Sequence, residues 1–465
     1  MSANDTSTPL RIVSAVITSP YMLDELDITS VVGGVELKES LDNPYIVGSI
    51  AILDDSGLYE RMNFRGSTFL RLVIDGGDDT EPYIDRTFVM TKLVSAQQAG
   101  DRSSTLVFRL VDLHYYNNPI KRFSRSYTGT PYGVINRIVT DETLMNLGFV
   151  SKYLSNDPIQ STMTVIIPYL TPIGAVKWLI KKCTTENGTP YFLWADVFGT
   201  TFNGNEPGKN YLRCESLDDM LKQTPFNVNP AYPRASFISS RTMAQNDENN
   251  WLSVDERIIE QYNFSNLQDN LELLASGAVG SRISNTDIGT NLTSDSKYNA
   301  KNFLDRLARE DVIETWGNFS KQNVVDTASL LENIPYQEYD SRYFHQISMK
   351  KVYGDNPSYF DEPTKEMFKH RLERKNMHHI LSKNMMACRM HPAAFLKQLS
   401  CIGNVAHFTF TSNRSDLNNP DVGELIDRER SGEYLIMGAT YTIMIDKKPI
   451  VDLTCTKLEK DWTYG

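Results

Sequence analysis

The sequence predicts a β-rich α+β protein, and three observations carry that prediction. Apolar and β-branched runs punctuated by turn residues fill the chain from Leu10 to Leu113. Two helix starts of similar sequence, TPYGVI and TPIGAV, follow in the middle. After a long polar stretch, apolar runs return in VAHFTFTS, GEYLIMGATYTIMI and KPIVDLTCTKLEKDW.

In the first region the strands are RIVSAVI, NPYIVGSIAIL, TFLRLVI, RTFVMTKLVSA and TLVFRLVDL, the pattern of an antiparallel barrel or sandwich. In TFLRLVI, Leu70, Leu72 and Ile74 share one face and Arg71 lies on the other. Gly76-Gly77-Asp78-Asp79 then breaks the chain, and GLYERMNFRGS has the length of one helical turn and a loop. In the middle, Thr130-Pro131 and Thr171-Pro172 each supply a capping hydroxyl and a proline at the first helical position, where its missing N–H costs nothing. The first helix is expected to bury Ile135, Ile138 and Val139. The second is expected to bury Ile173, Val176, Ile180 and Cys183 and to stop at Asn187-Gly188, a left-handed C-cap. Tyr191, Phe192 and Trp194 in the next strand, PYFLWADV, are expected to pack in the core rather than to stack on bases.

From about Pro233 to Met390 the chain is polar and irregular, with QNDENN, SNTDIGTNLTSDSKYN and QEYDSRY between helical pieces such as NAKNFLDRLARED. DEPTKEMFKHRLERKNMHHILSKNMMACRMH is a long helical candidate with an imperfect stripe at Met367, Leu372, Met377 and Leu381, and its NMMACRM reads as helix core. Near the C-terminus Val451, Leu453 and Cys455 alternate with Asp452, Thr454 and Thr456 until the pattern slips at Lys457-Leu458. A tight turn at Asp446-Lys447-Lys448 joins this strand to the one before it.

The chain has 465 residues, 40% of them hydrophobic, enough for about three domains. The N-terminus lacks the basic start and unbroken apolar core of a signal peptide, and no run approaches the roughly 20 apolar residues of a membrane span. Cys183, Cys214, Cys388, Cys401 and Cys455 are odd in number and form no CxxC, so they are expected to be reduced and partly buried. A net charge of −11 argues against a general grip on nucleic acid, although an acidic wall facing DNA would repel it. The short basic clusters at Lys121-Arg122 and from Lys369 to Lys375 read as solvated surface.

The sequence carries almost no catalytic signature. HRLERKNMHH, which holds His370, Glu373, His378 and His379, contains neither HExxH nor an i,i+4 histidine pair on one face. His407 falls at a solvent- or interface-facing strand position. Asp54-Asp55-Ser56-Gly57 and Asp75-Gly76-Gly77-Asp78-Asp79 lack the alternating ligands and closing Glu of an EF-hand and read as turns. There is no GxSxG, no Walker A and no strand-followed GxGxxG. No catalytic, cofactor-binding or metal-ligating residue is assigned, and no cofactor is expected.

The order of parts carries a resemblance. IAILDDSGLYERMNFRGSTFLRLVI, with its Asp-Asp strand end, short helix and Gly-x-x-x-Leu-x-Leu strand, resembles the first tube-type domain of the baseplate hub subunit of contractile-tailed bacteriophages. SRSYTGTPYGVINRIV and AVKWLIKKCTTENGTPYFLWADVFG resemble the helix start and the helix-to-strand passage that come after the first domain in that family. NLQDNLELLASGAVGSRISNTDI resembles the crossing into its second tube-type domain, and SGEYLIMGATYTIMIDKKPIVDLTCTKLEKD resembles its closing hairpin. That strand pair is also similar to the hub part of type VI secretion spike proteins.

The resemblance implies two tube-type antiparallel β-barrel domains with an intervening α/β domain and a partly helical insertion. The expected divisions are 9–116 for the first barrel, 117–235 for the α/β domain, 236–290 with 395–462 for a discontinuous second barrel, and 291–394 for the insertion. It implies a structural, non-enzymatic baseplate hub in the virion tail, assembled in the host bacterial cytoplasm. A homotrimer would form a pseudo-sixfold ring adapting the hexameric tail tube to the trimeric central spike. Central spike protein and tail tube protein are the expected partners, with tape measure and baseplate wedge proteins as further neighbours. DNA would pass without specific binding, and no membrane insertion is expected. The stretch Thr171 to Gly199 would then be scaffold. Two other readings stay open: another tail protein, such as a tube initiator or tape-measure cap, and a β-scaffold hydrolase drawing on His345, His370, His378 and His379.

Overall fold

Alternating burial builds the N-terminal strands β1 (Arg11–Thr18), β2 (Leu26–Asp27), β3 (Val32–Ser40), β4 (Val47–Asp54), β5 (Thr68–Asp75), β6 (Ile84–Gln98) and β7 (Ser104–Asp112). The structure is a computed structural model that describes residues 11–22, 24–75, 84–100, 103–150, 163–183, 189–198, 210–221, 223, 225–227, 237–239, 254–265, 270–287, 291–299, 342–348, 372–377, 379, 381–382, 385–398, 401–410, 427, 430–445 and 447–457. Leu70, Leu72 and Ile74 are fully buried while Arg71 is exposed, as the alternation predicts. The strands run β2-β1-β5-β6-β7-β4-β3, every neighbour antiparallel. The glycines and charged residues of β3 hide it from a hydrophobic scan, yet Val35, Leu37 and Glu39 all turn inward.

Between β4 and β5 the expected helical turn is α1 (Leu58–Met62). Asp54 closes it, Oδ1 accepting from the Leu58 N–H at 2.7 Å and Oδ2 from the Tyr59 N–H at 2.9 Å. This is the turn chemistry read from Asp54-Asp55-Ser56-Gly57, with Gly57 at φ 72°. Of the second acidic turn, only Asp75 lies among the described residues.

α2 (Leu113–Asn117) leaves the first barrel, and then come β8 (Ser126–Gly129), α3 (Pro131–Thr140), β9 (Gly148–Val150), β10 (Met163–Ile166), α4 (Pro172–Ile180), β11 (Tyr191–Ala195), β12 (Tyr211–Ser216) and α5 (Leu217–Leu221). The sequence repeat is a structural repeat. Thr130 Oγ1 accepts from the Gly133 N–H at 3.1 Å, and Thr171 Oγ1 accepts from the Gly174 N–H at 3.2 Å. A side chain at either glycine would crowd that hydroxyl, 3.1 Å and 2.9 Å from a would-be Cβ. The two helices contact each other, β8 pairs with β10, and β11-β12-β9 form a three-stranded sheet. Tyr191, Phe192 and Trp194 are all buried in its core.

α4 ends at Ile180, before the predicted stop; Asn187-Gly188 lie outside the described residues. Its last turn tightens as Lys182 N–H bonds to Leu179 O and Cys183 N–H to Ile180 O. The buried Arg374 guanidinium, from helical residues 372–377, donates to Ile180 O and, at 3.2 Å, to Tyr191 O. A cation supplied from far along the chain thus takes up a carbonyl at the helix C-terminus.

The remaining elements are β13 (Phe237–Ser239), α6 (Val254–Arg257), β14 (Ile258–Ser265), α7 (Asn270–Ser276), β15 (Gly280–Asp287), β16 (Leu292–Asn299), β17 (Arg342–Ser348), β18 (Met385–Met390), a helix Ala393–Gln398, β19 (Val405–Thr409), β20 (Gly432–Met444) and β21 (Ile450–Thr456). β20-β21-β18-β14-β13-β19 close into a ring because β19 pairs back onto β20. All its pairings are antiparallel except those of β13, which runs parallel to both neighbours. The slip at Lys457 is the end of β21.

Two sequence readings are corrected. NMMACRM is strand β18, not helix core: Met386, Cys388 and Met390 point inward and Ala387 is exposed, a period of two that methionine's helix propensity masked. Part of SNTDIGTNLTSDSKYN is not irregular but a hairpin, β15 paired with β16 in register, with β17 added parallel. Its Thr286–Thr293 and Arg282–Asp295 cross-strand pairs carry little apolar signal. NAKNFLDRLARED lies, after Asn299, outside the described residues, as does Met367; Leu372, Met377 and Leu381 are buried.

The β3–β4 approach yields a test. A Cβ at Gly48 would lie 2.1 Å from Glu36 O, a backbone atom that cannot swing away. Gly48→Ala is expected to cost about 3 kcal/mol, read as a lowered urea midpoint of the first barrel's transition.

Candidate functional site

Where the first barrel, the middle domain and the second barrel meet, the interior is charged. Glu39 on β3 is buried; its Oε2 accepts from the Val197 N–H at 2.9 Å and its Oε1 from the Tyr441 hydroxyl at 2.8 Å. Beside it Asp196, just after β11, holds Arg213 of β12 at 2.7 Å through Oδ2 and accepts from the Phe198 N–H through Oδ1 at 3.0 Å. Arg86 of β6, also buried, donates to Asp196 O at 2.9 Å and to Asn210 Oδ1 at 2.8 Å. Its Nε stands 3.9 Å from Asp112 Oδ1, and Asp112 Oδ2 accepts from the Ile46 N–H at 2.6 Å. The Ala195 N–H donates to Asn43 O at 3.1 Å, so the β11 end is fastened to the first barrel by backbone as well as by side chains.

Burial raises the Glu39 carboxyl to about 8, and the neighbouring Asp196 carboxylate pushes the same way. The bonds from Val197 and Tyr441 and the Arg213 charge only partly offset this. Tyr441 and Cys401, hydrogen-bonded to each other, are likewise raised by burial. This chemistry suits a fastening rather than a reaction: the groups are enclosed and already bonded to one another.

The five cysteines are free and buried, more completely than their spacing alone predicts, and burial pushes the Cys183 thiol up to about 12. The histidines named for a hydrolase do not converge among the described residues. His345 is exposed on β17 and His379 half-buried, while His370 and His378 lie outside the described residues. Among the described residues no group of three or more His, Cys, Asp or Glu could hold a metal ion. No helix among them is long and apolar enough to cross a membrane.

His407 sits on the less buried face of β19, yet it is half-buried rather than open, and burial lowers it to about 4, with the Lys457 ammonium adding to the shift. Its backbone is held by Asn227, which accepts from its N–H and donates to its carbonyl, both at 2.8 Å. The His114 side chain, which no sequence pattern singles out, is enclosed, with Nε2 2.7 Å from Pro44 O, although the residue as a whole is half-buried.

The second feature is a pair of open strand edges. β5 covers β6 only from Ile84 to Met90, whereas β7 follows it to Gln98. β13 covers β14 only at Ile258 and Ile259, whereas β18 follows it to Ser265. Among the described residues, the outer edges of Thr91–Gln98 and Glu260–Ser265 have no strand beside them. These edges bound a run of eight antiparallel strands, β6-β7-β4-β3-β20-β21-β18-β14, that passes through both barrels.

No family model and no curated protein matches the sequence. Among solved structures, the chain is similar to the 43 kDa tail protein of prophage MuSo2 from Shewanella oneidensis, at 11% identity over 96% of this chain and 98% of that one, with a TM-score of 0.47. It is similar to the tail protein from Neisseria meningitidis MC58, at 11% identity over 96% of each chain, with a TM-score of 0.46. The E. coli c3393 protein, a component of the type VI secretion system, is 9% identical over 97% of this chain and 78% of that one, with a TM-score of 0.40.

The junction and His407 each generate an expectation. Arg213→Leu leaves the buried Asp196 carboxylate without its cation and is expected to cost about 3 kcal/mol at pH 7, read by urea denaturation. His407, with a folded pKa below its ordinary 6.5, contributes stability that is present above pH 6.5 and lost as pH falls toward 4. An NMR titration is expected to find its ring still neutral at pH 5.

Proposed function

We propose that this chain is a structural subunit of a contractile phage tail, and within it the baseplate hub. The reading draws on the resemblance carried by the quoted segments, and one observation supports it above the others. Eight antiparallel strands, part of a larger sheet, cross both barrels, and among the described residues the outermost two, β6 and β14, each have a stretch of edge, Thr91–Gln98 and Glu260–Ser265, with no strand beside it. Open edges are a hazard that proteins cover. Two such stretches of edge on one chain suit head-to-tail addition of copies, which closes into a ring when the rotation allows. Two barrels per chain in a three-copy ring give six barrels, the match to a hexameric tube above and a trimeric spike below. Interfaces of this obligate kind bury on the order of 2,000 Å² or more.

On this reading the protein is a homotrimer in the tail baseplate, assembled in the bacterial host. It binds the tail tube protein and the central spike protein and meets tape measure and wedge proteins at its periphery. DNA passes through the ring, and the chain is not an enzyme. The segment divisions at 9–116, 117–235, 236–290 with 395–462, and 291–394 belong to the same proposal. β18 and β15 bear on them: β18, inside 291–394, pairs in the main sheet, and β15, ending 236–290, pairs outside it.

Native mass spectrometry of the purified chain, alone and with the candidate spike protein, is expected to find a three-subunit particle that takes up one spike trimer. Val94 is 55% exposed at a bulge in the open part of β6, where proline disturbs β7 least. Val94→Pro is expected to weaken ring formation at least about tenfold while the circular dichroism spectrum is unchanged. A chain that stays monomeric with and without the spike across a wide concentration range would sink the trimeric hub and leave a tube initiator or tape-measure cap as the better reading.

A further inference from the structure

The two carboxyl oxygens of the buried Glu39 are taken by different parts of the molecule. Oε2 meets the Val197 backbone of the middle domain at 2.9 Å, and Oε1 meets the Tyr441 hydroxyl of β20 at 2.8 Å. Glu39 itself belongs to β3 of the first barrel. A single side chain therefore touches all three parts. The groups facing it are Asp196 and Arg213 from the β11–β12 sheet, Tyr441 from β20, and Cys401 from the turn before β19. Arg86 of β6 stops short of it, spending its bonds on Asp196 O and Asn210. Asp196 and Arg213 neutralise each other at 2.7 Å, so a proton on Glu39 leaves the pocket uncharged and its loss leaves one uncompensated buried negative charge.

We propose that Glu39 is a proton-dependent latch between the first barrel, the middle domain and β20: with its proton the closed junction holds no uncompensated charge, whereas loss of the proton leaves a buried negative charge that the bonds from Val197 and Tyr441 only partly offset, and so favours loosening of the β11–β12 sheet from β3. The proton released goes to solvent when the junction opens, and no other group changes state.

Linkage sets the direction of the effect. The closed carboxyl holds its proton up to about pH 8, whereas the opened, hydrated one titrates at its ordinary 4.5. Opening therefore releases a proton within that window. The latch is fully closed below pH 4.5, weakens as pH rises, and reaches its weakest level above about pH 8. This inference does not rest on the hub reading, because it concerns contacts within one chain.

Amide hydrogen exchange at Val197 reads the latch directly, since that N–H is the one Glu39 accepts. After correction for the intrinsic rate, the opening constant of the full chain is expected to rise about tenfold per pH unit between pH 5 and 8 and then to flatten. Glu39→Gln keeps an acceptor but cannot ionise, and its opening constant is expected to be level across the same range. Asp196→Asn removes the neighbouring negative charge, and the flattening is expected to begin at a lower pH. Should Glu39→Gln fail to fold, the Asp196→Asn shift against the unaltered chain still decides the matter. Equal slopes in the unaltered chain and Glu39→Gln, or an unmoved break point in Asp196→Asn, would overturn the latch.

Discussion

The hydrogen-bonding capacity along one edge of β20 is divided between two partners, and the rest of the molecule is arranged around that division. β19 takes the edge from Gly432 to Leu435, closing the second barrel, and β3 takes it from Gly438 to Met444, joining the first. The other edge belongs to β21 from Leu435 to Thr442, with a bulge between Ile436 and Gly438 where the first edge changes hands. Leu41 N–H bonds to Met437 O, so the bulge residue is held from the first barrel's side as well. Because both barrels share this strand, neither can be placed without the other.

The polar junction sits directly behind that strand. Buried charge is costly, and a well-packed apolar substitute is often as stable or more so, so stability alone does not account for Glu39, Asp196, Arg213 and Arg86. What they supply is definition: Glu39, Asp196 and Arg86 each accept or donate in one geometry to a partner from another part of the chain, and Arg213 holds Asp196 in place within its own sheet. Apolar side chains would bury as much surface but would tolerate sliding of the middle domain over β3. Arg374 does similar work at the far end of α4, pinning Ile180 and Tyr191 to helical residues 372–377.

Much of the fold was legible wherever burial is one-sided. TFLRLVI and the two Thr-Pro helices announce themselves because a period of two or 3.6 is written in apolar residues and a capping hydroxyl sits at a fixed offset. β3 was hidden because the residues that matter include Glu39, which faces inward as an acid. β18 was hidden because Met and Ala favour helices in isolation, and only tertiary pairing with β14 and β21 decides otherwise. β16 was hidden because its run from Thr293 to Lys297 is polar throughout, and the single buried Tyr298 writes no period of two. The junction could not be read from the sequence at all: Glu39, Asp196 and Tyr441 are brought together only by the fold, and nothing in their spacing marks them. Their contribution is three-dimensional, as are the open edges, which are defined by the strands that stop short beside them.

The shared strand also has a mechanical meaning. Forces that try to slide the first barrel past the second along β20 load the β3–β20 bonds from Gly438 to Met444 together, in shear, so that many must break at once. Forces that peel the barrels apart sideways load the same bonds one after another. A body built this way is stiff to push along the strand and compliant to prying across it. If thrust is delivered along the strands, the sheet carries it from one barrel into the next without a hinge between them.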